Sequence, residues 1–160
     1  MKFNSLSKSI VLMLSFLAFL LSSFNALHAQ NVVGKWKRQM VNITDKEGKI
    51  SNVQEMLEKS LPCAGKIIYE LTSNGLQKTI IPEECKKAMS PMAKLFVDVD
   101  YSYSGNKITI KSADIHELPD AVYVVRFQGG DMIWDFDYAQ NPKTPNPTKA
   151  KKMSIVYKRI

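Results

Sequence analysis

The chain has 160 residues, a length that suits one domain able to bury roughly two-thirds of its unfolded surface. Its formal charge of +7 is spread along the sequence, and the densest basic run, Lys149, Lys151 and Lys152 with Lys143 nearby, lacks the interleaved aromatics that stack on bases, so nucleic acid is not an expected partner. With 2 cysteines, and His116 as the only histidine beyond the first 29 residues, neither a His-rich metal site nor a catalytic cysteine–histidine pair is supported.

Residues 1–29 read as an export signal. Lys2 and Lys8 supply positive charge, Ile10 to Leu21 is almost wholly apolar, and the small Ala29 precedes the cut. The apolar run is shorter than the roughly 20 residues that span a bilayer as a helix, so no stable membrane anchor is expected. Residues 30–160 then form the exported domain; removing Lys2 and Lys8 from 22 basic residues leaves 20 against 15 acidic ones. The expected location is secreted or periplasmic, where disulfides persist.

Eight strands follow, at about 34–43, 66–72, 76–81, 97–103, 107–112, 121–128, 132–138 and 151–158. Tight turns join the second to the third (Ser73-Asn74-Gly75), the fourth to the fifth (Gly105-Asn106) and the sixth to the seventh (Gly129-Gly130), while the other links are long. In an up-and-down antiparallel barrel this alternation seals one end with turns and rings the other with loops. The fold class is therefore all-β: an eight-stranded up-and-down antiparallel barrel, with one or two short helices at the open end.

The turns also set register, and register separates the faces. About Gly129-Gly130, Phe127 faces Met132, Val125 faces Trp134, Tyr123 faces Phe136 and Ala121 faces Tyr138, while Val124 with Asp135 and Val122 with Asp137 point outward. About Gly105-Asn106, Tyr103 faces Ile108 and Tyr101 faces Ile110, with Asp98, Asp100 and Ser102 turned away. A three-residue loop centred on Asn74 puts Glu70 opposite Lys78 and Ile67 opposite Ile81. The same centre makes Cys63 and Cys85 equidistant from the turn, so pairing carried that far joins them as a disulfide at the open end; two unpaired buried thiols are the alternative.

The long links carry helical signals. Asn52 with Glu55 reads as an N-cap and its reciprocal partner, followed by Val53, Met56, Leu57 and Leu61 at helical spacing and a stop at Pro62. Residues 83–96 suggest a second helix interrupted by Pro91, with Met89, Met92, Leu95 and Phe96 on its apolar side. Residues 141–147 form a Pro-rich loop.

Gly34-Lys35-Trp36 at the head of the first strand resembles the Gly-x-Trp signature with which lipocalins begin their barrels. More closely, the chain resembles the small lipocalin-like domains of secreted bacterial proteins, which share Gly-x-Trp, a Cys before and another after an Asn-Gly or Asp-Gly hairpin, and a last strand like Val156-Tyr157-Lys158. The resemblance covers residues 31–160 and lacks the Thr-Asp-Tyr motif of the larger lipocalins. It implies that Arg159 of the last strand packs across Trp36 at the closed end, making Gly34, Trp36 and Arg159 structural residues; Trp36 as ordinary core and Arg159 as a frayed terminus is the alternative.

No phosphate-binding glycine loop or nucleophile elbow is present, and the Asp98/Asp100 and Asp135/Asp137 pairs alternate with apolar residues, so no enzyme, cofactor or metal is expected. Asp114, His116, Glu117 and Asp120 on a mouth loop read as hydrated rather than ligating. What remains is the inward set: Tyr69, Leu71, Val99, Tyr101, Tyr103, Ile108, Ile110, Tyr123, Val125, Phe127, Trp134, Phe136, Ile155 and Tyr157. Aromatic walls with a few hydroxyls suit small-molecule pockets, and the same residues also suit a filled core. The expected function is binding of a small hydrophobic or aromatic ligand by the wall toward the open end, Tyr69, Val99, Tyr101, Tyr123, Trp134, Phe136 and Tyr138. The alternative is a module whose open-end loops contact a protein partner while the barrel is filled.

Overall fold

The structure, a computed structural model, describes residues 32–61, 63–91, 96–112 and 119–160. Gly34–Thr44 (β1) is its longest strand and the one that closes the sheet. One edge of β1 pairs with Ile68–Leu71 (β3) and the other with Lys152–Arg159 (β9), through a ladder that runs from Trp36 opposite Arg159 to Thr44 opposite Lys152. Between them follow Leu76–Ile80 (β4), Val99–Ser104 (β5), Lys107–Ile110 (β6), Ala121–Gln128 (β7) and Asp131–Asp137 (β8), each antiparallel to its neighbour in sequence order. The result is a closed, eight-stranded, up-and-down barrel, as the alternation of short and long links predicts.

The hairpin registers follow from their turns. Glu70 opposes Lys78, Tyr101 opposes Ile110, Tyr103 opposes Ile108, Val125 opposes Trp134 and Phe127 opposes Met132. Gly75 takes φ +83, and a Cβ there would come within 2.9 Å of the Tyr101 carbonyl oxygen, so that turn requires glycine both for its backbone and for the approach of β5. The β7–β8 ladder stops at Val124 opposite Asp135, short of the expected Tyr123–Phe136, Val122–Asp137 and Ala121–Tyr138 pairings. At Val122 the side chain of Asn141 replaces the missing strand: its Oδ1 accepts the Val122 N–H at 3.0 Å and its Nδ2 donates to the Val122 carbonyl at 3.2 Å and to the Asp137 carbonyl at 2.9 Å. Asn146 braces the same long loop through Ala150, accepting its N–H at 2.9 Å and donating to its carbonyl at 2.8 Å.

A ninth strand, Ile50–Asn52 (β2), was not anticipated; it pairs only with the far end of β1, Asn42 to Thr44. It leads into the first helix, Gln54–Ser60 (α1), which is shorter than expected. Asn52 does not cap this helix as foreseen. Val53 occupies the N-cap position, and the Asn52 side chain instead accepts the Gln54 N–H at 2.9 Å in a local turn. Glu55 pairs with Lys59 at 2.8 Å rather than reaching back to the cap, and Met56, expected on the buried side, is exposed. The second helix, Glu83–Met89 (α2), buries Cys85 and Met89, four residues apart on one face. No described helix is long and apolar enough to cross a membrane.

Candidate functional site

The sealed end is built around Trp36. It is 2% exposed, and the Arg159 guanidinium lies over its ring with Cζ 5.0 Å from the centroid. Arg159 also donates from Nη2 to the Val33 carbonyl. Gly34 makes this contact available: at φ +143, its hypothetical Cβ would sit 3.0 Å from Arg159 Nη2. Phe127 completes the floor, its ring 6.4 Å from that of Trp36. Gly34, Trp36 and Arg159 thus lie together at the end where the tight turns fall.

Above this floor runs a chain of rings. Tyr69 meets Tyr157 edge-on at 5.7 Å, Tyr157 meets Trp134 at 5.1 Å, Trp134 meets Tyr123 at 5.3 Å, Tyr123 meets Phe136 at 5.1 Å and Phe136 meets Tyr138 at 4.9 Å. Strand alternation explains the cluster: Trp134 and Phe136 share a face of β8, and Tyr157 is two residues from Ile155, the direct partner of Trp134 on β9. Five of the seven residues expected in the wall, Tyr69, Tyr123, Trp134, Phe136 and Tyr138, are therefore brought together. Val99 is only half-buried and faces Gln77 in the two-pair β4–β5 ladder, apart from the rings.

Tyr101 belongs elsewhere. Expected toward the open end, it packs against the sealed-end turn: its N–H donates to the Gly75 carbonyl at 2.7 Å and its hydroxyl to the Thr72 carbonyl at 2.7 Å. The tilt of barrel strands accounts for this, because the partner of Tyr101 on β6 is high in its strand while its neighbours on β4 are at the turn.

The open end has its own small core. Cys63 and Cys85 are joined as a disulfide with Cα atoms 5.6 Å apart, and Ile67 and Met89 pack with them; Tyr69, Ile81 and Phe96 lie against the group. The bridge forms, though not by extension of the hairpin. The β3–β4 ladder ends at Ile68 opposite Ile80, after which a 3-10 turn at Ala64–Lys66 carries Cys63 and α2 carries Cys85. The mouth is thus anchored to the ring chain through Tyr69.

Burial governs the phenols. It pushes Tyr157 well above its ordinary value of 10.0, Tyr123 up to about 12, and Tyr69 upward as well. All three keep their protons at neutral pH and remain hydrogen-bond donors. The Trp134 Nε1–H is buried and has no hydrogen-bond partner among the described residues. Arg38, which strand alternation from Trp36 puts inside but which the sequence reading does not single out, has a buried Nε likewise without a partner among the described residues.

The aspartates outside the barrel are engaged with basic side chains, a hydroxyl and a backbone N–H rather than with each other. Asp135 accepts from Arg126 Nε at 2.7 Å and from the Ser154 hydroxyl, and Asp137 lies 3.8 Å from Lys152 Nζ. Asp98 accepts the Thr79 N–H at 2.9 Å. Asp114, His116 and Glu117 lie outside the described residues, as does the 1–29 leader; among the described residues no group of three or more acidic, histidine or cysteine side chains is placed to hold a metal ion.

Comparison with known protein families, with curated proteins and with solved structures finds no match to this chain.

Proposed function

We propose that the protein is an exported, non-enzymatic, lipocalin-like barrel that binds a small hydrophobic or aromatic molecule among the rings of its interior. The observation that carries this reading is the indole N–H of Trp134, buried beside the rings of Tyr123 and Tyr157 with no acceptor among the described residues. A core evolved only to be filled satisfies such groups or omits them. A pocket uses a few convergent donors on an apolar wall to orient a guest. The leader-like residues 1–29 and the Cys63–Cys85 bridge support export to an oxidising compartment.

A panel of apolar molecules added to the mature protein tests this. Binders should raise the melting temperature, by an amount equivalent to about 2.7 kcal/mol at a hundredfold excess over Kd, and should shift tryptophan emission. Trp36→Phe should leave the spectral shift in place, and Trp134→Phe should remove it.

A second reading rests on the exterior of the open end. Ile50 in β2 and Met56 in α1 are 67% and 60% exposed on adjoining elements. Such residues suit a protein partner held by the loops, with the barrel as scaffold. If no molecule of the panel changes the melting temperature or the emission, this reading replaces the first.

A further inference from the structure

Arg38 departs from an interior otherwise built of apolar and aromatic groups. It stands directly opposite Tyr157 in the β1–β9 ladder, so both side chains leave the same face of the sheet, and Tyr157 is buried within the barrel. A bulge follows immediately: the register shifts between Arg38 and Met40, leaving Gln39 unpaired. The shift lets Val41, opposite Ile155, turn inward as well, so β1 presents Trp36, Arg38 and Val41 to the interior.

Arg38 is half-buried, and its Nε–H, fully buried, finds no hydrogen-bond partner among the described residues. A guanidinium is a planar fork of N–H donors with no acceptor of its own. Arg38 acts on the phenols of both Tyr69 and Tyr157, opposing the upward push of burial on each. Trp134, whose buried N–H has no partner among the described residues, meets Tyr157 at 5.1 Å with the rings tilted at 57°. The neighbourhood therefore offers a fixed cation, an indole N–H and protonated phenols. Among the described residues no acidic side chain pairs with Arg38.

We infer that Arg38, with Tyr69, Tyr157 and Trp134 around it, receives the carboxylate head of an amphiphilic organic acid, whose apolar body lies along Tyr123, Phe136 and Tyr138. The inference rests on the reading of the barrel as a ligand site and names the chemistry of that ligand. A carboxylate supplies the acceptors that the donors lack, and two guanidinium N–H groups can meet its two oxygens. Without a guest the buried Nε–H of Arg38 goes unsatisfied; with one, the cation discriminates acids from neutral molecules of equal apolar area.

Titration of the mature protein with a straight-chain fatty acid and with the alcohol of the same chain length, followed by calorimetry, tests this. The wild type should bind the acid more tightly than the alcohol by roughly ten- to a hundredfold, the range expected of a charge-assisted hydrogen bond in a desolvated site. Arg38→Met should abolish that preference and leave alcohol affinity within about threefold, since the apolar wall is untouched. Arg38→Lys should keep part of it. The melting temperature of unliganded Arg38→Met should hold or rise. Equal affinity for acid and alcohol in the wild type would overturn the anionic head while leaving the apolar site intact. Failure of both to bind would remove the site itself. A large fall in the melting temperature of Arg38→Met, with the acid preference retained in that variant at wild-type strength, would show Arg38 to be structural.

Discussion

The Arg159 guanidinium carbon stands 5.0 Å from the centre of the Trp36 ring, and the same two residues are direct partners across β1 and β9. The contact ties the first strand of the barrel to the last at the sealed end. Arg159→Ala should destabilise the fold by about 1–2 kcal/mol, through the lost cation-over-ring contact and the lost packing of its stem. Ligand affinity, measured where the variant is folded, should not change. An affinity loss without destabilisation would place the binding site at this end. Gly34→Ala should be at least as damaging, because alanine at φ +143 would be strained and would crowd Arg159 Nη2.

The Cys63–Cys85 bridge closes the loop that contains β3 and β4, with a sequence separation of 22. Loss of the bridge should cost about 3 kcal/mol in the chain-entropy view. Because Cys85 and Met89 share a buried face of α2, reduction should loosen the mouth before the base. Hydrogen exchange on the reduced protein should show faster exchange at α2 and Tyr69 while the amides around Trp36 stay protected. Alkylation of the unreduced, denatured protein should label neither cysteine; labelling of both would refute the bridge.

Asn141 performs with one side chain what a strand would do with its backbone. Asn141→Ala leaves the Val122 N–H and carbonyl without their partners in a site that is nearly closed to water, at a cost of about 1–3 kcal/mol. Asn141→Asp restores the acceptor but not the donor, so it should fall between wild type and alanine in urea denaturation. If both variants are as stable as wild type, the loop is held by other contacts.

The phenols give the fold an alkaline limit. Tyr123 titrates near 12 when folded against about 10 when unfolded, so the folded state holds this proton more tightly. Its contribution is complete below about pH 10 and is lost as pH rises through 12; Tyr157 and Tyr69 shift in the same direction. Melting temperature should be level through neutral pH and fall above pH 10, with tyrosinate absorbance appearing together with unfolding. Tyr123→Phe should reduce the slope. Tyrosinate formation in advance of unfolding would mean that the rings are open to water.

Much of this barrel is legible in the sequence because glycine turns fix register and register fixes face. Gly129-Gly130 alone predicts that Trp134 and Val125 meet, and Asn74 as a centre of symmetry brings Cys63 and Cys85 to the same place even though the ladder between them ends early. Three features escape. Ile50-Ser51-Asn52 is too short to show alternation, so β2 cannot be read. Tyr101 points inward as expected, but the height of a side chain in a barrel depends on strand tilt, which alternation does not encode. Arg38 is hidden by its own charge: in Trp36-Lys37-Arg38-Gln39-Met40-Val41 the apolar phase breaks between 38 and 41, and the break is the sign of a bulge.

The central claim is that the barrel holds a small guest molecule, and native mass spectrometry of the protein purified from its own cells without detergent tests it most directly. The account expects a non-covalent adduct of a small organic molecule, released on denaturation, that survives in Arg159→Ala and is diminished in Trp134→Phe. A bare polypeptide mass from wild type, or an adduct consisting only of another polypeptide, would contradict it.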